Sequence, residues 1–152
     1  MKAIVCKEFG PPSKLVLEDM EPLSPKKNEI LIDIHAAGVN FPDTLIIKDM
    51  YQFKPALPFT PGNEVAGVVS AIGEGVTTYS IGDEVIAMPT FGGYAEQIIV
   101  SPNQASKKPV NMDFTTAACF STTYGTSHYG LKDKAQLKAG EVVLILGASG
   151  GV

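Results

Sequence analysis

Apolar and polar positions alternate in short blocks through most of the chain, and the period changes past Pro109. Residues 29–39 are the clearest block: Ile30, Ile32, Ile34 and Ala36 fall on one side, Asp33 and His35 on the other. A two-residue period of this kind predicts a strand with one buried face. Residues 2–8 and 14–18 predict an opening strand pair around Gly10-Pro11-Pro12. Residues 65–72 predict a strand ending in the turn Gly73-Glu74-Gly75, and residues 84–88 and 94–100 are two more, each entered through glycine. Strands at this spacing predict a small antiparallel barrel or sandwich.

Beyond Pro109 there is no further proline, and the pattern turns helical. Asp113 is placed to cap a helix that opens at Phe114. Phe120, Tyr124, His128 and Leu131 then recur at about one-turn intervals, which predicts helix to about Gln136. After the turn Lys138-Ala139-Gly140, residues 141–146 form a continuous apolar run. That is the pattern of a strand buried on both faces of a parallel sheet. It leads directly into Gly147-Ala148-Ser149-Gly150-Gly151-Val152.

Composition narrows the class. The 152 residues suit one ordinary domain, and 45% hydrophobic with 18% charged residues is globular. A net charge of −4 disfavours a nucleic-acid partner. All 12 strong cations are lysine, so the chain has no guanidinium fork, and a bound phosphate must use backbone amides or lysine. The longest aliphatic run, residues 142–146, is too short for a membrane span, so no membrane partner is expected. Charges within the first eight residues do not suit a signal peptide. Two cysteines make neither a disulfide framework nor a metal knuckle. A reduced, cytoplasmic location is the expectation.

A buried strand running into Gly-x-x-Gly opens a dinucleotide-binding βαβ unit, where glycines let the backbone approach a pyrophosphate. A glycine turn after an ordinary strand is the other reading of the same residues. The third glycine of the motif would be residue 153, so the sequence looks cut within an element.

Together the segments resemble the medium-chain dehydrogenase/reductase superfamily, and within it the zinc-free quinone oxidoreductases of the zeta-crystallin type. The matching runs are Ala37-Gly38-Val39-Asn40-Phe41-Pro42-Asp43-Thr44, Leu57-Pro58-Phe59-Thr60-Pro61-Gly62-Asn63-Glu64-Val65-Ala66-Gly67, Ile81-Gly82-Asp83-Glu84-Val85, Gly92-Gly93-Tyr94-Ala95-Glu96 and Leu146-Gly147-Ala148-Ser149-Gly150-Gly151-Val152. They stand in family order and at family spacing. The resemblance implies a mostly β fold with some α: a GroES-like catalytic domain over residues 1–125, then the first helix and strand of a truncated Rossmann domain over residues 126–152. It implies that the chain is the N-terminal portion of a longer enzyme, one that forms a homodimer through the Rossmann domain.

The subfamily follows from chemistry. An open catalytic zinc site needs three thiolate, imidazole or carboxylate ligands. The positions that carry them in zinc alcohol dehydrogenases of this superfamily hold Asn40, Asn63 and Ala118, and Pro42 replaces the proton-relaying hydroxyl. Cys119 neighbours a ligand position, and burial on a helix is the expected reason for it. No metal is expected. What remains is hydride transfer from NADPH to a quinone or activated enone, an electrophile whose developing oxyanion is resonance-stabilised. A zinc-type dehydrogenase with altered ligands and a non-enzymatic GroES-like binding module are the alternatives. The 152 residues alone are expected to be inactive.

By resemblance, Asn40 lies beside the nicotinamide or substrate and Tyr51 lines the cofactor and substrate pocket; these two are the candidate catalytic residues. Thr126 matches a threonine that contacts the nicotinamide amide region. Gly147, Ser149, Gly150, Gly151 and Val152 are candidates to cradle the pyrophosphate. Leu45 and Asp49 depart from the family, Asp49 standing where many relatives have glycine. Plainer roles stand beside these. Asn40 is a favoured helix cap, and Tyr51 suits a loop aromatic covering the core. His35 and His128 read as structural or solvent-facing, and Glu64 as an ordinary charge where a strand begins. Lys26-Lys27 and Lys107-Lys108 read as solvated loop charges.

Overall fold

The computed structural model describes residues 1–152. Strands β1 (Lys2–Val5) and β2 (Val16–Asp19) pair antiparallel as an opening hairpin. β3 (Ile30–Ala37), β4 (Val65–Ile72), β5 (Glu84–Ala87), β6 (Gln97–Val100) and β7 (Ala105–Lys107) form a five-stranded antiparallel sheet in the order β6-β3-β4-β5-β7. A short helix, α1 (Phe41–Ile46), leaves the end of β3. Pro42 sits in its first turn, where a missing N–H costs nothing. The predicted mostly β fold with its opening hairpin is what the chain adopts.

The core follows from the alternation. Ile30, Ile32, Val65, Val69, Val85, Ala87, Ile98 and Val100 meet on one side of the sheet. On the other side Ala66 and Ile86 pack against Ala117 and Ala118 of the chain that follows β7. Leu31 is buried as well, so β3 is less one-sided than its alternation predicts. A third cluster, Cys6, Ile46, Ile47 and Phe59, ties α1 to the hairpin.

Several expectations are corrected. The strand predicted over residues 94–100 starts only at Gln97, because Ala95 is held instead by an isolated bridge to Ala3. β7 escapes sequence reading because Ala-Ser-Lys is polar and pairs along one edge only, with β5. The helix predicted from Phe114 to Gln136 does begin there, and the Asp113 carboxylate accepts the N–H of Thr116 at 2.7 Å. It then breaks into α2 (Phe114–Ala117), a π-helical turn (Ser121–Gly125), α3 (Thr126–His128) and a second π-helical turn (Tyr129–Lys134). Its predicted apolar face, Phe120, Tyr124 and Leu131, lies in solvent, so nothing holds it to a regular period. Every buried apolar residue lies at or before Ala118.

The apolar run at 141–146 forms no strand. Val142 is 96% exposed and Leu146 85%. A strand is stabilised by ladder bonds, and a parallel one needs a neighbour that this chain does not supply. Lys108 is not a solvated charge: it is 9% exposed, with its ammonium 2.8 Å from Glu84 and above the ring of Phe114. Cys119 is exposed, not buried.

Candidate functional site

Two loops and one helix cap bring the site together. Asn40 is the last residue before α1, and its backbone N–H donates to the carboxylate of Asp43 at 2.8 Å. Asp43, itself buried, receives the hydroxyl of Tyr94 on the same Oδ2 at 2.8 Å. Burial and then the neighbouring carboxylate push the Tyr94 phenol far above its ordinary range. The cap of α1 is thereby fixed from a loop 51 residues away.

That loop is positioned by glycine. Gly62 has φ +96, and a Cβ there would lie 2.5 Å from the ring of Tyr94. Gly93 donates to Gly62 O and Tyr94 donates to Pro61 O, both at 2.9 Å. The pairing holds Asn63 and Glu64 at the start of β4. Gly38 closes the other side: its N–H donates to Glu64 O, and a Cβ would meet Ala118 O at 2.3 Å.

At the centre is a carboxylate without a cation. Glu64 is 0% exposed. Its Oε2 accepts from Asn40 Nδ2 at 3.1 Å, and its Oε1 accepts the backbone N–H of Thr122 at 2.9 Å. Asn40 Nδ2 also donates to Asn63 Oδ1 at 3.2 Å. The Thr122 Oγ1 atom is buried and has no partner. Asn40 and Asn63 thus meet as two amides, while Ala118 faces Gly38 with its backbone and packs with Ala66, Ile86 and Ala117.

The remaining predicted site residues lie elsewhere. Tyr51 is half-buried and packs on the cluster of Cys6, Ile46, Ile47 and Phe59, sharing no hydrogen bond with Asn40. Asp49 has φ +57, a conformation glycine adopts without strain, which accounts for the glycine preference at its position. Thr126 is exposed and its hydroxyl donates to Thr122 O. Gly147, Ser149, Gly150, Gly151 and Val152 are all exposed. Gly147 turns with φ +75 and a Cβ there would meet nothing within 4 Å. That open, left-handed turn leaves room for a phosphate to approach the backbone there. The turn folds over the π-helical segment, where Thr123, Tyr124, Ser127 and Gly151 line a hollow of about 320 Å³. His35 is exposed and lies 4.3 Å, ring to ring, from Phe114.

Sequence reading missed Glu64, Asp43, Tyr94 and Thr122. Asp43 carries a signal, since Asn-x-x-Asp before a helix is the spacing of a reciprocal cap. Glu64 carries a weaker one, a charge directly before the buried Val65-Ala66-Gly67.

Residues 26–110 match the profile of the Alcohol dehydrogenase GroES-like domain. The chain is 43% identical to the Quinone oxidoreductase of Sus scrofa over 154 residues, covering 100% of this chain and 47% of that protein. The quinone oxidoreductase of Pseudomonas syringae pv. Tomato DC3000 has a similar structure, with TM-score 0.92 and 34% identity over 99% of this chain and 46% of that one. A mycobacterial protein solved in complex with NADPH gives TM-score 0.85 and 36% identity, over 93% of this chain and 44% of that one. The chain spans about half the length of the curated relatives it matches.

Proposed function

The chain belongs to the Alcohol dehydrogenase GroES-like domain family, and we propose that it supplies the catalytic domain of an NADPH-dependent, zinc-independent oxidoreductase that reduces a quinone or activated enone. The observation that carries this reading is the cluster of Asn40, Asn63 and Glu64. Where two loops and the cap of α1 meet, it presents amides and a buried carboxylate each of whose oxygens accepts one N–H. Amides orient and hydrogen-bond a substrate; they are poor substitutes for the thiolate and imidazole that a zinc centre requires. The likeness to quinone oxidoreductases and to an NADPH-bound neighbour supports the acceptor class and the cofactor.

In this reading bound NADPH supplies the hydride. Backbone N–H groups of residues 147–152 hold the pyrophosphate, the only fitting partners in a chain without arginine beside its lysines. Asn40 and Tyr51 border the nicotinamide and substrate, and Thr126 meets the carboxamide. The Asp43–Tyr94 bond keeps the cap of α1, and with it Asn40, from shifting. Residues 126–152 begin the nucleotide domain, and the enzyme works in the cytoplasm.

The test is turnover by the complete gene product. NADPH oxidation that depends on an added quinone or enone, and survives dialysis against a strong zinc chelator, is the expected result. Stoichiometric zinc together with alcohol oxidation abolished by the chelator would refute it.

A further inference from the structure

The hydrogen-bond directions around Asn40 follow from one fixed point. A carboxylate accepts hydrogen bonds and donates none. Glu64 is buried, and its Oε1 is taken by the N–H of Thr122. Its Oε2 therefore meets the amide nitrogen of Asn40, not the amide oxygen. The second N–H of Asn40 goes to Asn63 Oδ1. Both donors of Asn40 are consumed inside the protein. Asn63 accepts with its oxygen, and its Nδ2 makes no hydrogen bond to the chain.

We infer that Glu64, Asn40 and Asn63 form a polarity relay whose outer end, Asn63 Nδ2, donates to the substrate oxygen that becomes negative on reduction. The relay rests on the hydride-transfer reading above. A quinone or enone takes up a hydride with its two electrons as NADPH goes to NADP⁺; the charge gathers on the carbonyl oxygen, and a proton from solvent then completes the hydroquinone or saturated ketone. A donor already aimed at that oxygen lowers the barrier without reorganising. Asn40 cannot be that donor, because a third N–H is not available to it. Asn63 has two. Glu64 is then a positioning residue: its burial without a cation is compensated by two N–H groups, and its fixed acceptor character sets the orientation of both amides. This also gives Asn63, in place of a metal ligand, an active part in the chemistry.

The test uses the complete gene product and single variants. Asn63→Ala is expected to lower kcat with a quinone by about 100-fold while KM for NADPH stays within about twofold, because a transition-state donor is lost and cofactor contacts are not. Asn63→Ser, which can accept from Asn40 and donate outward, should recover about tenfold of that loss. Glu64→Gln lets the amides flip, so it should slow turnover, and the double variant should be no slower than Asn63→Ala alone. Retained kcat in Asn63→Ala, with a melting curve showing a folded protein, overturns the inference, and so do multiplicative losses in the double variant. Hydrogen exchange of the asparagine side chains, followed by selective ¹⁵N labelling, reads the relay without any turnover. The Asn40 amide protons should be protected and those of Asn63 free, with Asn40 protection lost in Glu64→Gln. If no quinone or enone is reduced at all, the hydride reading fails. The exchange pattern then decides the relay, a protected Asn63 beside a free Asn40 overturning it.

Discussion

Asn40 and Glu64 show how far single residues could be interpreted from sequence. Asn before a proline-bearing first turn is local chemistry, so its place at the cap of α1 was legible from residues 40–43 alone. The partners of Glu64 are 24 and 58 residues away, and one of them is a backbone N–H that no side-chain pattern encodes. Tyr94 is another long-range case: its hydroxyl reaches Asp43 across 51 positions. Its loss should be measurable. Tyr94→Phe leaves the ring but removes a hydrogen bond to a carboxylate, which is expected to cost about 1–2 kcal/mol by urea unfolding, the lower part of the range because the ring is half-buried. The pH dependence has a definite sign. The native phenol titrates above its ordinary 10.0, so its contribution is complete below that value and declines as pH rises beyond it. Wild-type stability should therefore fall more steeply above pH 10 than that of Tyr94→Phe, and equal slopes would contradict the bond.

Among elements, those closed by local rules were readable and those closed by distant contacts were not. β3 and β4 carry enough alternation and β-branched side chains to be assigned directly, and their ladder has the expected sense. β7 exists because β5 offers an edge, and its three residues say little on their own. The start of α2 was legible because Asp113 caps it; its broken continuation was not, because sequence period does not reveal a missing packing partner. The cap gives an element-scale expectation. The Thr116 N–H holds the Asp113 carboxyl below its ordinary 3.8. A depressed acid contributes stability at pH values above its unfolded value and loses it as pH falls through its folded one. Asp113→Ala should lower the melting temperature at neutral pH and flatten the acid limb of the stability curve. Asp113→Asn, still a good cap, should flatten the limb with a smaller loss at neutrality. Thermal melts from neutral pH into the acid range separate the two, and an unchanged acid limb in both would show that the cap is not the titrating group.

At the scale of the whole molecule, the asymmetry between the first 118 residues and the rest sets what the chain can do by itself. The sheet and its two coverings are complete within the buried part, and the amide–carboxylate cluster draws one N–H, that of Thr122, from beyond it. The proposed cofactor residues are not so supported: Thr126 and residues 147–152 are exposed, and the apolar run before the glycines has no neighbouring strand. A phosphate-binding turn gains its affinity from N–H groups that a following helix aligns and from a strand that holds the turn rigid. Here the glycines supply conformational freedom, and neither support accompanies it. A flexible turn must be ordered on binding, which weakens it. The 152-residue chain alone is therefore expected to bind NADPH weakly by isothermal titration and to show no quinone-dependent NADPH oxidation, although its sheet unfolds cooperatively. Adding the further residues that twofold-longer relatives possess should restore both together, since the same parallel neighbours that would bury Val142 and Leu146 would also fix the glycine turn. Tight NADPH binding by the 152 residues would show that the turn is ordered without such a sheet, and would move the pyrophosphate site onto the hollow formed by Thr123, Tyr124, Ser127 and Gly151.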